Sequence, residues 1–320
     1  MAESPLAASP YELLGVAATA DDDTLRRAYR RALRAAHPDT GGSTAKFDAV
    51  QRAWELIGTP AARAAYDRGL SGNGRGAHAH GRAASGAHSD APNWAPRPQT
   101  PRTDSRPMAR SYGHPGGLAR EHYLGRIREW VGRGVALPDP YDTALVRSAP
   151  ADIRRILAEA LAEEASARSL ASLGIAFTIW HDVDAGARGF AGKLDHLVLG
   201  PTGLFAVESA DFGGLVSLKR TELVGQPLAG AHPVHDLAAQ AKAIQRAARV
   251  KPTALLVVVP DEQAAVPLEI GGSVRGAVVA LVRRSRLASA IREGIPGSAH
   301  TGGTEVMEVR ARLQQTVRFV

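Results

Sequence analysis

The chain has 320 residues, a formal net charge of +7 at neutral pH and no cysteine. The lack of cysteine excludes disulfide bonds and zinc sites with cysteine ligands. No apolar run approaches the roughly 20 residues of a membrane span, and no basic segment followed by an apolar one opens the chain. We therefore expect a soluble, cytoplasmic protein of two domains without a membrane partner. The heavy use of alanine, arginine and glycine is typical of a bacterial genome rich in G and C.

The first 70 residues contain a His-Pro-Asp tripeptide, His37, Pro38 and Asp39, directly after a basic helical stretch. Apolar residues recur at helical spacing over 25–36, which predicts an amphipathic helix. Its opposite face carries Arg26, Arg27, Arg30, Arg31 and Arg34. Pro38 disfavours helical geometry at His37, so the helix should end there. A second helix at 44–57 would pack antiparallel to the first and hold the tripeptide at the tip.

These features resemble a J-domain, the module by which Hsp40-type (DnaJ) co-chaperones engage Hsp70. Residues 10–16 are similar to the opening helix of that family, and residues 60–67 to its closing helix. The resemblance implies that the arginines meet an acidic Hsp70 surface, that Asp39 pairs with a partner arginine, and that His37 and Pro38 fix the loop. It also implies stimulation of Hsp70 ATP hydrolysis, with no cofactor. The alternative is a solvated basic helix without a partner.

Residues 71–117 are rich in Gly, Ser, Pro, Ala, Arg and His and poor in aliphatic side chains. Such a segment cannot bury enough apolar surface to fold, so we expect a flexible tether. The predicted organisation is therefore an all-α J-domain at 1–70, a disordered linker at 71–117 and an α/β domain at 118–320.

Residues 118–320 mix helical and strand patterns. The patterns predict helices at 118–132, 151–173, 234–250 and 306–317, and strands at 176–183, 194–199, 203–209, 215–218, 254–259 and 277–282. The last two strands are short, apolar and rich in valine, which fits interior strands covered on both faces. This order of elements predicts a mixed sheet flanked by helices.

A predicted hairpin in this domain brings Asp195 and Glu208 onto adjacent strands. With its Gly-Pro-Thr-Gly turn, the hairpin resembles the core of the nuclease-related domain (NERD), a branch of the PD-(D/E)XK, or restriction-endonuclease-like, fold. On that resemblance Glu163 is the acidic residue of the preceding helix, and Gln240 is the glutamine of the following one. The resemblance implies that Asp195 and Glu208 gather Mg²⁺, which polarises the scissile phosphate and activates water.

One position departs from the family pattern, because Ala210 stands where the family has the lysine of a Glu-x-Lys motif. Alanine carries neither a charge nor a donor, and losing such a group typically costs orders of magnitude in rate. Lys193, Lys219 and Lys242 are candidates for a relocated ammonium, and Lys193 lies two residues before Asp195 and so shares its sheet face.

The sequence thus leaves three hypotheses. The first is a co-chaperone whose inactive nuclease-like domain binds DNA or a client protein, or targets the chain. The second is a metal-dependent DNA nuclease coupled to Hsp70. The third is a protein that binds nucleic acid without cutting it.

Overall fold

The computed structural model describes residues 4–37, 44–71, 94–96, 107–186, 192–228 and 230–320. The chain forms two compact units, one of Met1–Arg97 with Gly134–Ala149, the other of Pro98–Arg133 with Pro150–Val320. Pro38, Asp39 and most of the predicted linker lie outside the described residues. In these ranges no helix combines the length and apolar character that crossing a membrane requires.

The N-terminal part of the first unit is helical. Its helices are α1 (Pro10–Leu14), α2 (Asp22–Ala36), α3 (Thr44–Ile57) and α4 (Pro60–Ser71). Ser9 begins α1 with a capping box, because its hydroxyl accepts a hydrogen bond from the Glu12 amide and the Glu12 side chain accepts one from the Ser9 amide. Asp21 caps α2 through the Thr24 amide at 2.6 Å. Helix α2 ends at His37, whose backbone is extended, as the following proline predicts.

The apolar faces of these helices pack on one another. The fully or largely buried residues of this small core are Tyr11, Leu14, Leu25, Ala36, Val50, Ala53 and Ile57. Tyr29 of α2 stacks on Trp54 of α3 with ring centroids 4.3 Å apart. Arg63 of α4 donates to the Ala18 carbonyl and to the Asp22 carboxylate, which ties α4 to the start of α2.

The rest of the chain supplies further helices and all the strands. The helices are α5 (Gly117–Val131), α6 (Thr143–Ser148), α7 (Ala151–Leu170), α8 (Pro233–Ala248), α9 (Leu287–Glu293) and α10 (Gly303–Thr316). The strands are β1 (Arg110–Tyr112), β2 (Thr178–Asp184), β3 (Lys193–Gly200), β4 (Gly203–Ser209), β5 (Ser217–Lys219), β6 (Glu222–Val224), β7 (Ala254–Val259), β8 (Leu268–Val274) and β9 (Ala277–Arg283). Helix α6 belongs to the first unit and the others to the second.

The second unit is built around a mixed sheet of order β1-β2-β3-β4-β7-β9-β8, and β5 and β6 form a separate hairpin. Strands β2, β3 and β4 are antiparallel, whereas β4, β7 and β9 are parallel. Leu197 and Leu204 face a core that includes α8, and Val198 and Phe205 face a core that includes α9. The predicted mixed sheet flanked by helices is therefore confirmed.

Some elements were not predicted from the sequence, among them β1, β6, β8 and α9. Strand β8 reads Leu-Glu-Ile-Gly-Gly-Ser-Val, and its two glycines have low strand propensity. A Cβ at Gly271 would lie 2.1 Å from the Arg220 carbonyl oxygen, so only glycine permits that approach. The strand pairs with β9 alone and is interrupted by a bulge between Ile270 and Ser273.

Candidate functional site

The end of α2 carries the described part of the His-Pro-Asp motif. The His37 ring is half-buried and meets the Phe47 ring edge-on at 5.4 Å. The arginines predicted to contact a partner, Arg26, Arg27, Arg30, Arg31 and Arg34, are all exposed. Arg30 and Arg34 donate to backbone carbonyls one turn earlier on the same helix, which keeps their side chains along its surface. Helix α2 therefore presents a continuous basic surface that leads to His37.

A second candidate site is a buried cluster of charges in the second unit, centred on Lys193. The Nζ atom of Lys193 lies 2.5 Å from Oε2 of Glu163, 2.9 Å from Oδ1 of Asp182 and 3.2 Å from Oδ1 of Asp195. None of these four side chains is more than 6% exposed. Burial alone would lower the pKa of Lys193, but the charges of Asp195, Glu163 and Asp182 raise it, so the ammonium stays charged.

The cluster draws one carboxylate from each of three elements: Glu163 from α7, Asp182 from β2 and Asp195 from β3. Asp182 has a φ of 49°, in the left-handed region that few residues other than glycine adopt. This turn breaks the two-residue alternation of β2, because Trp180 and Val183, three positions apart, enter the same core.

Asp195 and Glu208 are neighbours across β3 and β4, as the predicted hairpin requires. The pairing of His196 with Val207 places them at the next positions along the two strands. Oδ2 of Asp195 accepts a hydrogen bond of 2.8 Å from the Ser209 amide, whereas Oε2 of Glu208 is buried without a hydrogen-bond partner. Burial, followed by the charge of Asp195, raises the pKa of Glu208 well above its usual value.

The structure thus brings together Glu163, Lys193 and Asp195, with Glu208 beside Asp195. The remaining predicted site residue, Gln240, is buried on α8. Asp182, which the sequence analysis missed, has no pattern around it that marks a site. Glu159 was also missed, although it precedes Glu163 by one helical turn and therefore lies on the same face of α7. Burial, then the charge of Asp195, raises the pKa of Glu159 to about 7.

On the other side of Asp195, His196 belongs to a buried chain of polar side chains. Its Nδ1 atom is 2.8 Å from Nδ1 of His181, and its Nε2 atom is 3.1 Å from Oγ of Ser209. Nε2 of His181 is 2.9 Å from Oγ of Ser111. Burial lowers the pKa of His181 to about 4 and that of His196 well below its usual value, so both rings are neutral and join β2, β3 and β4.

Comparison with protein families assigns both regions. Residues 9–67 match the DnaJ domain family, and residues 158–263 match the nuclease-related domain family, NERD. The chain carries both domains. Its J-domain contains the basic surface of α2, and its NERD domain contains the buried cluster around Lys193.

The J-domain is similar to curated chaperones. It is 48% identical over 71 residues to the chaperone protein DnaJ of Thermosynechococcus vestitus, which covers 20% of this chain and 19% of that protein. It is 42% identical over 67 residues to that of Lacticaseibacillus casei, covering 20% of this chain and 17% of that protein. The chain thus spans about a fifth of the length of the curated relatives it matches. No solved structure is significantly similar to the chain.

The metal ion that the NERD resemblance implies does not fit this arrangement of side chains. Both carboxylate oxygens of Asp195 are engaged, one by the Lys193 ammonium and the other by the Ser209 amide. With Lys193 among the carboxylates, no three His, Asp or Glu side chains of the described ranges are grouped so that they could hold a metal ion. The cation at the centre of the carboxylates is the ammonium of Lys193.

The raised pKa of Glu159 predicts a pH dependence of stability. The folded state holds this proton up to about pH 7, against 4.5 for the free side chain, so stability falls as the pH rises through that window. Above about pH 7, we expect the free energy of unfolding of Glu159→Gln to exceed that of the wild type by on the order of 1–3 kcal/mol. Below pH 4.5, the two proteins should be equally stable. Urea unfolding between pH 4 and 8, followed by hydrogen exchange of β3, measures the difference.

The matched control is the exposed Glu121→Gln, which should leave the pH profile of wild type unchanged. Parallel profiles for wild type and Glu159→Gln would contradict the raised pKa.

Proposed function

We propose that this chain is a J-domain co-chaperone, which binds a DnaK-type Hsp70 and stimulates its ATP hydrolysis through His37, Pro38 and Asp39. The observation that carries the proposal is the exposed basic surface of α2, which leads to His37 in a domain that matches the DnaJ family. Arginines on this surface speed encounter with an acidic partner, and the Asp39 carboxylate pairs with a partner arginine.

The NERD domain, in this proposal, selects the location or the client and does not cut nucleic acid. Ala210 supplies no ammonium, and its amide pairs with the Val258 carbonyl at the end of β4. Lys193 is buried and engaged by three carboxylates, so its ammonium is not free to contact a phosphate or an attacking water.

The first test changes the His-Pro-Asp motif. We expect His37→Gln to abolish the stimulation of Hsp70 ATP hydrolysis in single-turnover assays, because the imidazole at the end of α2 fixes the loop. The J-domain should stay folded, since His37 lies at the edge of its core, and hydrogen exchange of α2 and α3 checks this. The control is His235→Gln, an exposed histidine of the NERD domain, which should stimulate like wild type. Full stimulation by a folded His37→Gln protein would refute the proposed mechanism.

The second test separates the co-chaperone from the metal-dependent DNA nuclease. Linear and single-stranded DNA are incubated with the full chain and Mg²⁺ or Mn²⁺, beside an Asp195→Ala/Glu208→Ala variant. We expect no cutting by either protein, because the expected lysine is replaced by Ala210 and Lys193 is already ion-paired. Cutting by the wild type alone would establish the nuclease, whereas cutting by both would indicate a contaminant.

A basic groove on the NERD domain favours a second candidate function, the binding of nucleic acid without cleavage. Lys242, Lys251 and Arg275 line this groove above an apolar floor that includes Leu255. In the described part of the chain, these three cations have no carboxylate within ion-pair distance. The charges of Arg246 and Arg275 lower the pKa of Lys242, so the groove has an excess of positive charge. No aromatic side chain lines it, which favours contact with phosphates over stacking on bases.

Along the sheet, the groove residue Leu255 lies two strand positions from the pair of Glu208. Leu255 pairs with Ala206 near the start of β7, whereas Glu208 pairs with Val257 further along the same ladder.

Salt dependence tests the groove. We expect Lys251→Ala to weaken duplex DNA binding equally for all sequences and to reduce the slope of log K against log salt by about 1, because one phosphate contact is lost. The matched control, Lys219→Ala, removes an exposed lysine on β5 outside the groove and should leave the slope unchanged. An equal effect of both substitutions would show that binding is not specific to the groove.

A further inference from the structure

We propose that the ammonium of Lys193 is a permanent internal cation, which fills the position of a divalent metal ion among the carboxylates of the NERD domain. The domain therefore holds no metal ion there. This inference deepens the proposed function, since it rests on a NERD domain that does not cleave and gives the physical reason. The proposed function rests on Ala210 in place of the expected lysine, whereas this inference says which cation occupies the position of the metal ion.

Lys193 has as many N–H groups as it has carboxylate neighbours. An ammonium has three N–H groups, and Lys193 has one carboxylate oxygen of Glu163, Asp182 and Asp195 within 3.2 Å for each of them. A lysine that stabilises a phosphate or an attacking water must keep a donor for it. Lys193 donates hydrogen bonds to Glu163 and Asp182 and is ion-paired with Asp195, so its contacts are those of a counter-ion.

Two of these carboxylates are also held by backbone amides. Oε2 of Glu163 also accepts a hydrogen bond of 3.0 Å from the Gly116 amide, and Asp195 accepts one from the Ser209 amide. Gly116 has a φ of 74°, and a Cβ there would lie 2.8 Å from the Ala160 carbonyl oxygen, so glycine is required at this approach. The backbone thus orients these carboxylates independently of Lys193.

Removal of the Lys193 side chain would leave a buried space lined by carboxylates. Three carboxylate oxygens would face one buried space, with the unpartnered Oε2 of Glu208 beside Asp195. Oxygen ligands of this kind are those that hard divalent cations prefer. Burial already raises the pKa of Glu163 and Asp195, so without Lys193 a divalent ion would compete with protons for these carboxylates. Lys193 and a divalent ion are therefore mutually exclusive occupants of one position.

The experiment compares Mn²⁺ binding by the full-length wild type, Lys193→Ala and the matched control Lys193→Arg, without DNA or Hsp70. Electron paramagnetic resonance counts the bound Mn²⁺, and thermal unfolding monitors the NERD domain. We expect Lys193→Ala to bind one additional Mn²⁺ and to gain about 2–4 °C in unfolding midpoint at several times the Kd. Wild type and Lys193→Arg should show neither change. Asp195→Asn, added to Lys193→Ala, should abolish the additional binding.

The outcomes of this comparison decide the proposal as follows. Mn²⁺ binding by the wild type that Asp195→Asn removes would overturn it, as would a folded Lys193→Ala protein that is indifferent to Mn²⁺. If Lys193→Ala folds only with Mn²⁺, the dependence supports the proposal. If Lys193→Ala does not fold at all, the double variant Lys193→Ala/Glu163→Gln, which buries one charge fewer, is measured instead. If the double variant also fails to fold, Mn²⁺ binding by the wild type decides. If the wild type binds Mn²⁺ through Asp195 and cuts no DNA, this inference is overturned and the co-chaperone proposal stands.

Discussion

The NERD domain depends on one buried interaction, the ion pairing of Lys193 with three carboxylates. Helix α7 and strands β2 and β3 each contribute a carboxylate, and burial of these charges without the ammonium would cost several kcal/mol per ion. The cluster therefore constrains how α7 lies on the sheet. It also explains why the interior strand β3, whose side chains are otherwise mostly apolar, accepts a lysine and an aspartate two residues apart.

The charges of the J-domain are exposed to solvent, whereas those around Lys193 in the NERD domain are buried. This difference determines how strongly each set of charges interacts. The arginines of α2 are exposed, where salt screens their charges, so they contribute little to stability and remain accessible to an acidic surface. The charges around Lys193 are buried, where interactions are strong and solvent does not compete. The first arrangement suits recruitment of another protein, whereas the second suits a fixed internal structure.

Much of the fold followed from local pattern. The bounds of α3, β4 and β7 agree with those predicted from the sequence, because helical periodicity and apolar runs reflect burial directly. Strand β8 gave no such signal. Its glycines have low strand propensity, and Gly271 is needed because the Arg220 backbone lies too close for a side chain. Strand β1 is only three residues long, and all three are exposed. It depends on pairing with β2, which lies far along the chain.

The sequence by itself determined the two domains, the end of α2 at His37, and the adjacency of Asp195 and Glu208, because each depends on neighbours in the chain or on one hairpin. It also placed Lys193 on the face of Asp195. Only the tertiary structure decided what Lys193 does there. Its partners Glu163 and Asp182 come from other elements, and Asp182 reaches it through a left-handed backbone turn that no local pattern indicates. The role of a charged side chain depends on the charges that folding brings around it, and those are not neighbours in sequence.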